Sequence, residues 1–255
     1  MTEHVEVSRQ GAVQVLRFAR PEKKNSLTGA MYRALSAALE QGDQSADIAA
    51  NVICGSGGIF CAGNDIGEFL ANGQGTGGVL ENVLTFIQLL PVLKKPLIAA
   101  VDGPAVGIGA TLLFHCDLVY ATPGATFATP FLDLGLIPEA ASSLLMPKQI
   151  GYHRAFELLV LGEKFSAERA VQAGFVNKIV PPGEIEREAL SAAGRLAAKP
   201  PEALAIARRL LRGETSDILK RAQDEALLFR QRLASPEARE AFQAFLEKRP
   251  PKFMR

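Results

Sequence analysis

Two glycines flank one apolar residue at the entry to a predicted helix, at Gly107, Ile108 and Gly109. Because neither glycine carries a side chain, the backbone around Ile108 is left bare. The first N–H groups of a helix have no partner within the helix, and they stabilise negative charge. The segment is a candidate for holding an oxyanion that develops during a reaction. The same glycines would also serve tight packing, and this stretch alone does not separate the two uses.

A second stretch with little side-chain cover runs over residues 59–66, IFCAGNDI. The small pair Ala62 and Gly63 lies between an apolar run and the acidic Asp65. Backbone can approach a ligand closely at such a pair. The alternative is an ordinary turn between a strand and a helix.

Four acidic residues near these stretches are candidates for proton transfer. Asp102 falls in a predicted turn and Asp117 opens a predicted strand, so both are expected to be structural. Asp133 alternates with apolar neighbours and is expected at the surface or behind another group. Glu139 directly follows Pro138, which suits the start of a helix with Glu139 in its first turn. Glu139 is therefore the favoured acid or base, while His115 is expected to be a core histidine.

The elements that would position these residues alternate between strands and helices and then become helical. Strands are predicted at residues 5–7, 13–18, 49–54, 97–101, 117–121, 125–128 and 175–180, and the first two form a predicted hairpin with a turn at Gln10 and Gly11. Helices are predicted from Thr28 or Ser26 to about 41, over 81–93, from 110, from 138, over 151–162, from Ser166, and over 184–247 with breaks at 199–201, 213 and 235–236. This order predicts an α/β core with a helical C-terminal part.

Composition argues against several classes of function. The formal net charge of +1 gives no general attraction to nucleic acid or to membranes, although residues 195–255 carry 14 basic against 8 acidic side chains. The three cysteines are unpaired by spacing, which favours a reducing compartment, and a cytoplasmic location is expected. No Cys and His cluster has the spacing of a metal site. The apolar stretch 96–116 is interrupted at Asp102, so it is not interpreted as a membrane span.

Six segments, in order along the chain, match one known pattern. They are RPEKKNSLT (20–28), FCAGNDI (60–66), IAAVDGPAVGIGATLLFHCDLVYAT (98–122), FLDLGLIPEAASS (131–143), ELLVLGEKFSAERAVQAGFVNKIV (157–180) and FLEKRPPKF (245–253). Together they resemble the crotonase, or enoyl-CoA hydratase/isomerase, superfamily over essentially the whole chain.

The resemblance implies a spiral of ββα units in two stacked sheets, with residues 1–195 as the core and 196–255 as a helical region for oligomerisation. It implies a homotrimer or a dimer of trimers, an acyl-CoA thioester as substrate, and no separate cofactor, because coenzyme A is part of the substrate. The oxyanion donors would be the Ala62 and Ile108 N–H groups. The implied substrate-binding residues are Lys23, Lys24, Ala62, Gly63, Asn64, Asp65, Ile66, Gly107, Ile108, Gly109, Phe131 and Lys248.

The chain departs from the hydratases of this family at two catalytic positions. Those enzymes carry two glutamates, where this sequence has Thr111 and Phe131. Glu139 instead resembles the single acid/base of the peroxisomal type of Δ3,Δ2-enoyl-CoA isomerase, and one carboxylate suffices to move a proton from C2 to C4. A hydratase, another acyl-CoA enzyme of this fold, and a non-catalytic RNA-binding or scaffold protein stay open as alternatives. An apolar pocket would raise the pKa of Glu139, whereas a helix N-terminus would lower it.

Overall fold

The fold begins with a hairpin that forms the edge of the larger sheet. The computed structural model describes residues 4–68 and 78–253. Strands β1 (Val5–Gln10) and β2 (Val13–Phe18) are antiparallel, and Gly11 turns between them with φ +58°. Such a positive φ costs glycine little, which explains its place in the turn. The predicted hairpin is confirmed.

The larger sheet places β2 beside four parallel strands. Its order is β1-β2-β3-β4-β6-β9. The added strands are β3 (Ala50–Cys54), β4 (Leu97–Val101), β6 (Leu118–Ala121) and β9 (Lys178–Ile179). Every residue of β3 and β4 is buried, as expected for parallel strands that are covered on both faces. The strand predicted over 175–180 is much shorter than expected, because only Lys178 and Ile179 belong to β9.

Three short strands form a second, smaller sheet. It has the order β5-β7-β8, from β5 (Pro104–Val106), β7 (Thr126–Ala128) and β8 (Phe165–Ser166). Strands β4 and β6 belong to the first sheet, and the strands that follow them, β5 and β7, belong to the second. Each unit thus gives one strand to each sheet before its helices begin, which agrees with the expected spiral of ββα units.

Helices cover these sheets. In the first three quarters of the chain they are α1 (Gly29–Gln44), α2 (Val79–Val92), α3 (Ile108–Thr111), α4 (Ser142–Ile150), α5 (Tyr152–Leu159) and α6 (Ala167–Ala173). Short 3-10 helices occupy Pro21–Lys23, Leu112–His115 and Leu132–Leu134. The side chains of Thr28 and Ser166 accept from the N–H groups of Met31 and Arg169, so these two predicted caps are confirmed.

The last quarter of the chain is helical, as predicted. It consists of α7 (Ile185–Ala197), α8 (Pro201–Arg212), α9 (Thr215–Leu233) and α10 (Pro236–Leu246). Ala222, Phe229 and Phe242 from α9 and α10 belong to the same buried cluster as the strands. Helix α7 also crosses the predicted boundary at residues 195 and 196, and the division into two regions stays a prediction. Within the described ranges, no helix combines the length and apolar character that crossing a membrane requires.

One predicted helix start is wrong. Helix α4 begins at Ser142, not at Pro138, because Ala140 and Ala141 adopt left-handed backbone conformations with φ +59° and +53°. Left-handed residues do not continue a right-handed helix. Glu139 therefore lies in a tight turn ahead of the helix rather than in its first turn.

Candidate active site

A cavity of about 500 Å3 lies between the stretch at residues 59–66 and the C-terminal helices. Its lining is mostly apolar, with the polar side chains of Asn64, Asp133, Glu139 and Arg249. The apolar and backbone lining comes from Ala62, Gly63, Ile66, Val106, Gly107, Pro130, Phe131, Leu134, Leu136, Phe229, Ala241, Phe242, Phe245, Pro251 and Phe253. A largely apolar cleft with few polar groups is typical of a site for an organic ligand.

The two bare stretches of the sequence lie side by side at this cavity. Cys61 forms a parallel bridge with Ala105, where the Cys61 N–H donates to Pro104 O at 3.0 Å and the Val106 N–H donates to Cys61 O at 2.8 Å. Gly107 follows with φ +56°. A Cβ on Gly107 would lie 3.8 Å from the Cα of Gly63, so the two glycines approach each other closely.

Gly109 has a different role from the one expected. A Cβ there would lie 2.7 Å from Cys61 O and 2.8 Å from Cys61 Cβ. Both distances are too short for a real Cβ atom, so a larger residue would not fit here unless the Cys61 backbone moved. Gly109 does not line the cavity. Tight packing against Cys61 therefore explains the glycine at position 109, whereas Gly107 lines the cavity.

The pair of free N–H donors differs from the predicted pair. The Ile108 N–H, at the start of α3, has no acceptor among the described residues. The Ala62 N–H donates to Lys24 O at 3.0 Å, so the prediction that it is free for an oxyanion is wrong. The Asn64 N–H instead has no acceptor in the described ranges, because Leu27 pairs with the N–H of Asp65 and the carbonyl of Gly63 on either side of it.

Glu139 is buried beside these donors. Its side chain is 5% exposed overall, and Oε1 has no hydrogen-bond partner within the described structure. The Asn64 side chain lies near enough to the Glu139 carboxylate to lower its pKa, and the Tyr32 hydroxyl donates to Asn64 Oδ1. Tyr32 thus fixes which end of the Asn64 amide faces Glu139.

Burial dominates the acidity of Glu139. Loss of water around the carboxylate, reinforced by the nearby charge of Glu225, raises the pKa of Glu139 to about 8, although the Asn64 side chain acts in the opposite direction. The predicted competition with a helix N-terminus does not arise, because α4 starts three residues later. A carboxyl group with this pKa can take and return a proton near neutral pH.

Two buried groups hold the turn that carries Glu139. His115 Nε2 lies 2.7 Å from Ala140 O, and burial lowers the pKa of His115 to about 4, so the neutral ring donates to that carbonyl. Glu225, on α9, accepts from the Ala141 N–H at 2.6 Å and from the Ser143 N–H at 3.1 Å. His115 is a core histidine, as predicted.

Sequence reasoning missed Asn64 as a partner of the acid, and it missed Tyr32 and Glu225 entirely. Glu225 is one of several acidic residues on α9, and no local pattern distinguishes it from the exposed ones. Its burial is visible only when α9 packs against α2 and α4.

The remaining predicted residues divide into two groups. Gly63, Asn64, Ile66, Gly107 and Phe131 line the cavity, as Ala62 and Glu139 do, whereas Lys23, Lys24, Asp65, Ile108, Gly109 and Lys248 do not. The three lysines are exposed, and Arg249 lines the cavity in place of Lys248. Asp65 pairs with Arg20 at 2.7 Å and so ties together the loop that carries Lys24.

The other acidic candidates lie where the sequence placed them. Asp102 accepts from the Thr122 hydroxyl at 2.9 Å, and Asp117 pairs with Arg208 and Arg212 at 2.9 and 3.2 Å, so both are structural. Asp133 is exposed where it lines the cavity.

Comparisons of the sequence and of the structure with known proteins find relatives of the same kind. The sequence profile described as Enoyl-CoA hydratase/isomerase matches residues 8–255. The chain is 35% identical to Enoyl-CoA delta isomerase 2 from Rattus norvegicus over 253 residues, which is 96% of this chain but only 63% of the rat protein. It is 36% identical to a probable enoyl-CoA hydratase from Rhodobacter capsulatus, covering 94% of this chain and 93% of that protein. The crystal structure of an enoyl-CoA hydratase/isomerase from Pseudoalteromonas atlantica matches with a TM-score of 0.93 at 36% identity, over 99% of this chain and 100% of that one.

Proposed function

We propose, from the premise that this chain belongs to the enoyl-CoA hydratase/isomerase family, that it moves the double bond of a 3-enoyl-CoA to the 2-position. The main support is Glu139, the one buried carboxylate among the described residues that line the large cavity, together with two backbone N–H groups that have no acceptor in the described structure. Thr111 and Phe131 occupy the positions where a hydratase of this family would carry its two glutamates. Thr111 is fully buried outside the cavity, so it offers no second base.

The geometry supports a simple mechanism. The Ile108 and Asn64 N–H groups would bind the thioester oxygen and stabilise the enolate that forms when the C2 proton leaves. Glu139 would accept that proton and return it at C4, so that the carboxylate is regenerated at the end of each cycle. Asn64 would serve both steps, through its backbone N–H as an oxyanion donor and through its amide as the partner that orients Glu139.

The substrate would bring its own coenzyme A, so no separate cofactor is proposed. The large cavity would hold the thioester and the adjoining part of the coenzyme A arm. The candidate basic groups for its phosphates are the exposed Lys23, Lys24 and Lys248 and the half-buried Arg249, which lines the cavity. Arg249 is already paired with Glu240 at 2.6 Å, so its contribution depends on release from that partner.

The deciding experiment is incubation of the protein with a 3-enoyl-CoA and, separately, with a 2-enoyl-CoA, followed by separation of products by mass and retention time. The proposal expects interconversion of the two isomers at constant mass. A product that has gained one water, without isomerisation, would contradict it.

Hydration of a 2-enoyl-CoA is the second candidate, and Asp133 is the observation that favours it. Asp133 is a further carboxylate on the same cavity as Glu139, and paired carboxylates suit the activation and addition of water. Asp133 is exposed whereas Glu139 is buried, and this difference favours the isomerase, which needs only Glu139.

Glu225→Gln is expected to move the pH dependence of isomerisation to lower pH. In the wild type the rate should rise with pH as Glu139 ionises, with a midpoint near the pKa of about 8. Removing the Glu225 charge removes one cause of that raised pKa, so the midpoint should fall. The check is kcat/KM against pH, with Asp224→Asn on the exposed face of α9 as the matched control.

The same substitution leaves either the Ala141 or the Ser143 N–H facing an amide NH2 group, which costs about 1–3 kcal/mol of stability. A purely structural role for Glu225 would therefore lower the melting temperature without moving the midpoint. That outcome would contradict the electrostatic part of the explanation.

The protein is expected to assemble into at least a trimer. Large apolar side chains on the C-terminal helices face solvent in the single chain, with Leu210 73% and Leu211 89% exposed. An exposed patch of large apolar side chains is typical of an interface between subunits. Light scattering at micromolar concentration should give three or six times the chain mass of 27.3 kDa, and a monomer mass would contradict the prediction.

A further inference from the structure

A second, smaller cavity of about 40 Å3 lies behind Glu139, between α2 and α9. Its walls are mostly aliphatic. They comprise Leu80, Val83, Leu84, Ile87, Glu139, Ala140, Ala222, Ala226, Phe229 and Arg230. Each water-sized group needs about 10–15 Å3 measured in this way, so the cavity has room for about three such groups.

Glu139 and Phe229 line both this cavity and the large one, and among the described residues no other side chain does. The catalytic carboxylate therefore lies at the boundary between two spaces, with the buried Phe229 ring beside it. In the large cavity Glu139 shares the lining with Asn64, and in the small one its neighbours are mostly aliphatic.

The proposed reaction imposes an order on the substrate. The thioester carbon C1 lies at the N–H donors, C2 and C4 both lie within reach of Glu139, and every later carbon lies beyond it. The coenzyme A arm needs the large cavity, because the small one is far too small for it. The carbons beyond C4 then reach the small cavity, whose aliphatic walls suit an alkyl chain.

We propose that this second cavity receives the acyl chain beyond C4, and that Phe229 and Ala226 limit it to about three carbons. The inference rests on the proposed acyl-CoA function and names its substrate class, which is short acyl-CoA thioesters of up to about seven carbons. Phe229 lies at the boundary between the two cavities, and the small Ala226 leaves the space of the second one open.

The test uses calorimetric binding of saturated butanoyl-, hexanoyl- and octanoyl-CoA, which requires no turnover. Burial of one methylene group strengthens binding about fourfold, so hexanoyl-CoA should bind the wild type roughly 15-fold more tightly than butanoyl-CoA, with little gain to octanoyl-CoA. Ala226→Leu adds about the volume that the cavity offers, and it should reduce the ratio between hexanoyl- and butanoyl-CoA to near one. Phe229→Ala should widen the passage and extend the gain to octanoyl-CoA.

Gln223→Leu adds the same leucine on the exposed face of α9 and should leave the chain-length ratios unchanged. Butanoyl-CoA affinity and the melting temperature report whether each variant is folded. Ratios that stay the same in Ala226→Leu and Phe229→Ala would overturn this inference alone. Absence of butanoyl-CoA binding to the wild type would overturn the proposed function, and this inference with it.

Discussion

Glu139→Gln is expected to bind acyl-CoA with near wild-type affinity and to lose isomerase turnover by roughly 10²-fold or more, the scale of a general acid–base group. Glutamine keeps the size of glutamate but cannot accept the C2 proton. Asn64 can still donate to the amide oxygen of the new side chain, so the geometry of the site should persist. The measurement is kcat on a 3-enoyl-CoA together with calorimetric binding of a saturated acyl-CoA.

Stability provides an independent check on the same variant. A buried acid whose pKa is raised stabilises the fold in its protonated form, and this stability is lost as pH rises from its unfolded value of 4.5 through about 8. Glu139→Gln has no charge to bury, so its melting temperature at pH 9 should exceed that of the wild type by about 5 °C. The exposed Glu163→Gln should match the wild type in both measurements. Unchanged isomerisation in Glu139→Gln would exclude Glu139 from the mechanism.

Ile108→Pro is expected to lower kcat/KM by roughly 10²–10³-fold, because proline removes the N–H that the mechanism assigns to the oxyanion. Ile108 is the first residue of α3, a position where the backbone conformation of proline is compatible with a helix. The substitution therefore removes a donor without requiring the helix to break.

Ile108→Ala is the matched control for this second prediction. The Ile108 side chain is fully buried, so both variants lose packing and stability, but alanine keeps the N–H. Comparable activity in the two variants, at matched folded fractions, would show that the N–H is not a catalytic donor.

The sequence predicted those parts of the fold that depend on local chemistry. The Gly11 turn, the Thr28 and Ser166 caps and the breaks between the C-terminal helices each rest on a preference of one or two residues, and all are confirmed. The start of α4 could not be predicted in this way. Ala140 and Ala141 have no intrinsic preference for left-handed backbone, and their conformation depends on His115 and Glu225, which are distant in the chain.

The site shows the same limit in finer detail. The sequence indicated where the backbone is bare, around Gly63 and Gly107, but not which N–H groups stay free. That depends on Lys24, whose carbonyl takes the Ala62 N–H and leaves Asn64 as the donor. Residue types reveal a candidate for proton transfer at Glu139, whereas its acidity depends on α9, more than 80 residues later.

The dependence of Glu139 on Glu225 and Phe229 has a consequence for synthesis on the ribosome. A nascent chain that has emerged only as far as α8 already contains every residue of the two N–H donors and the base. It lacks the helix that seals Glu139 from water, so its glutamate would have the acidity of an ordinary exposed side chain. Under the proposed mechanism, Glu139 would acquire its raised pKa, and with it the proton transfer, only after the last helices have been translated and docked.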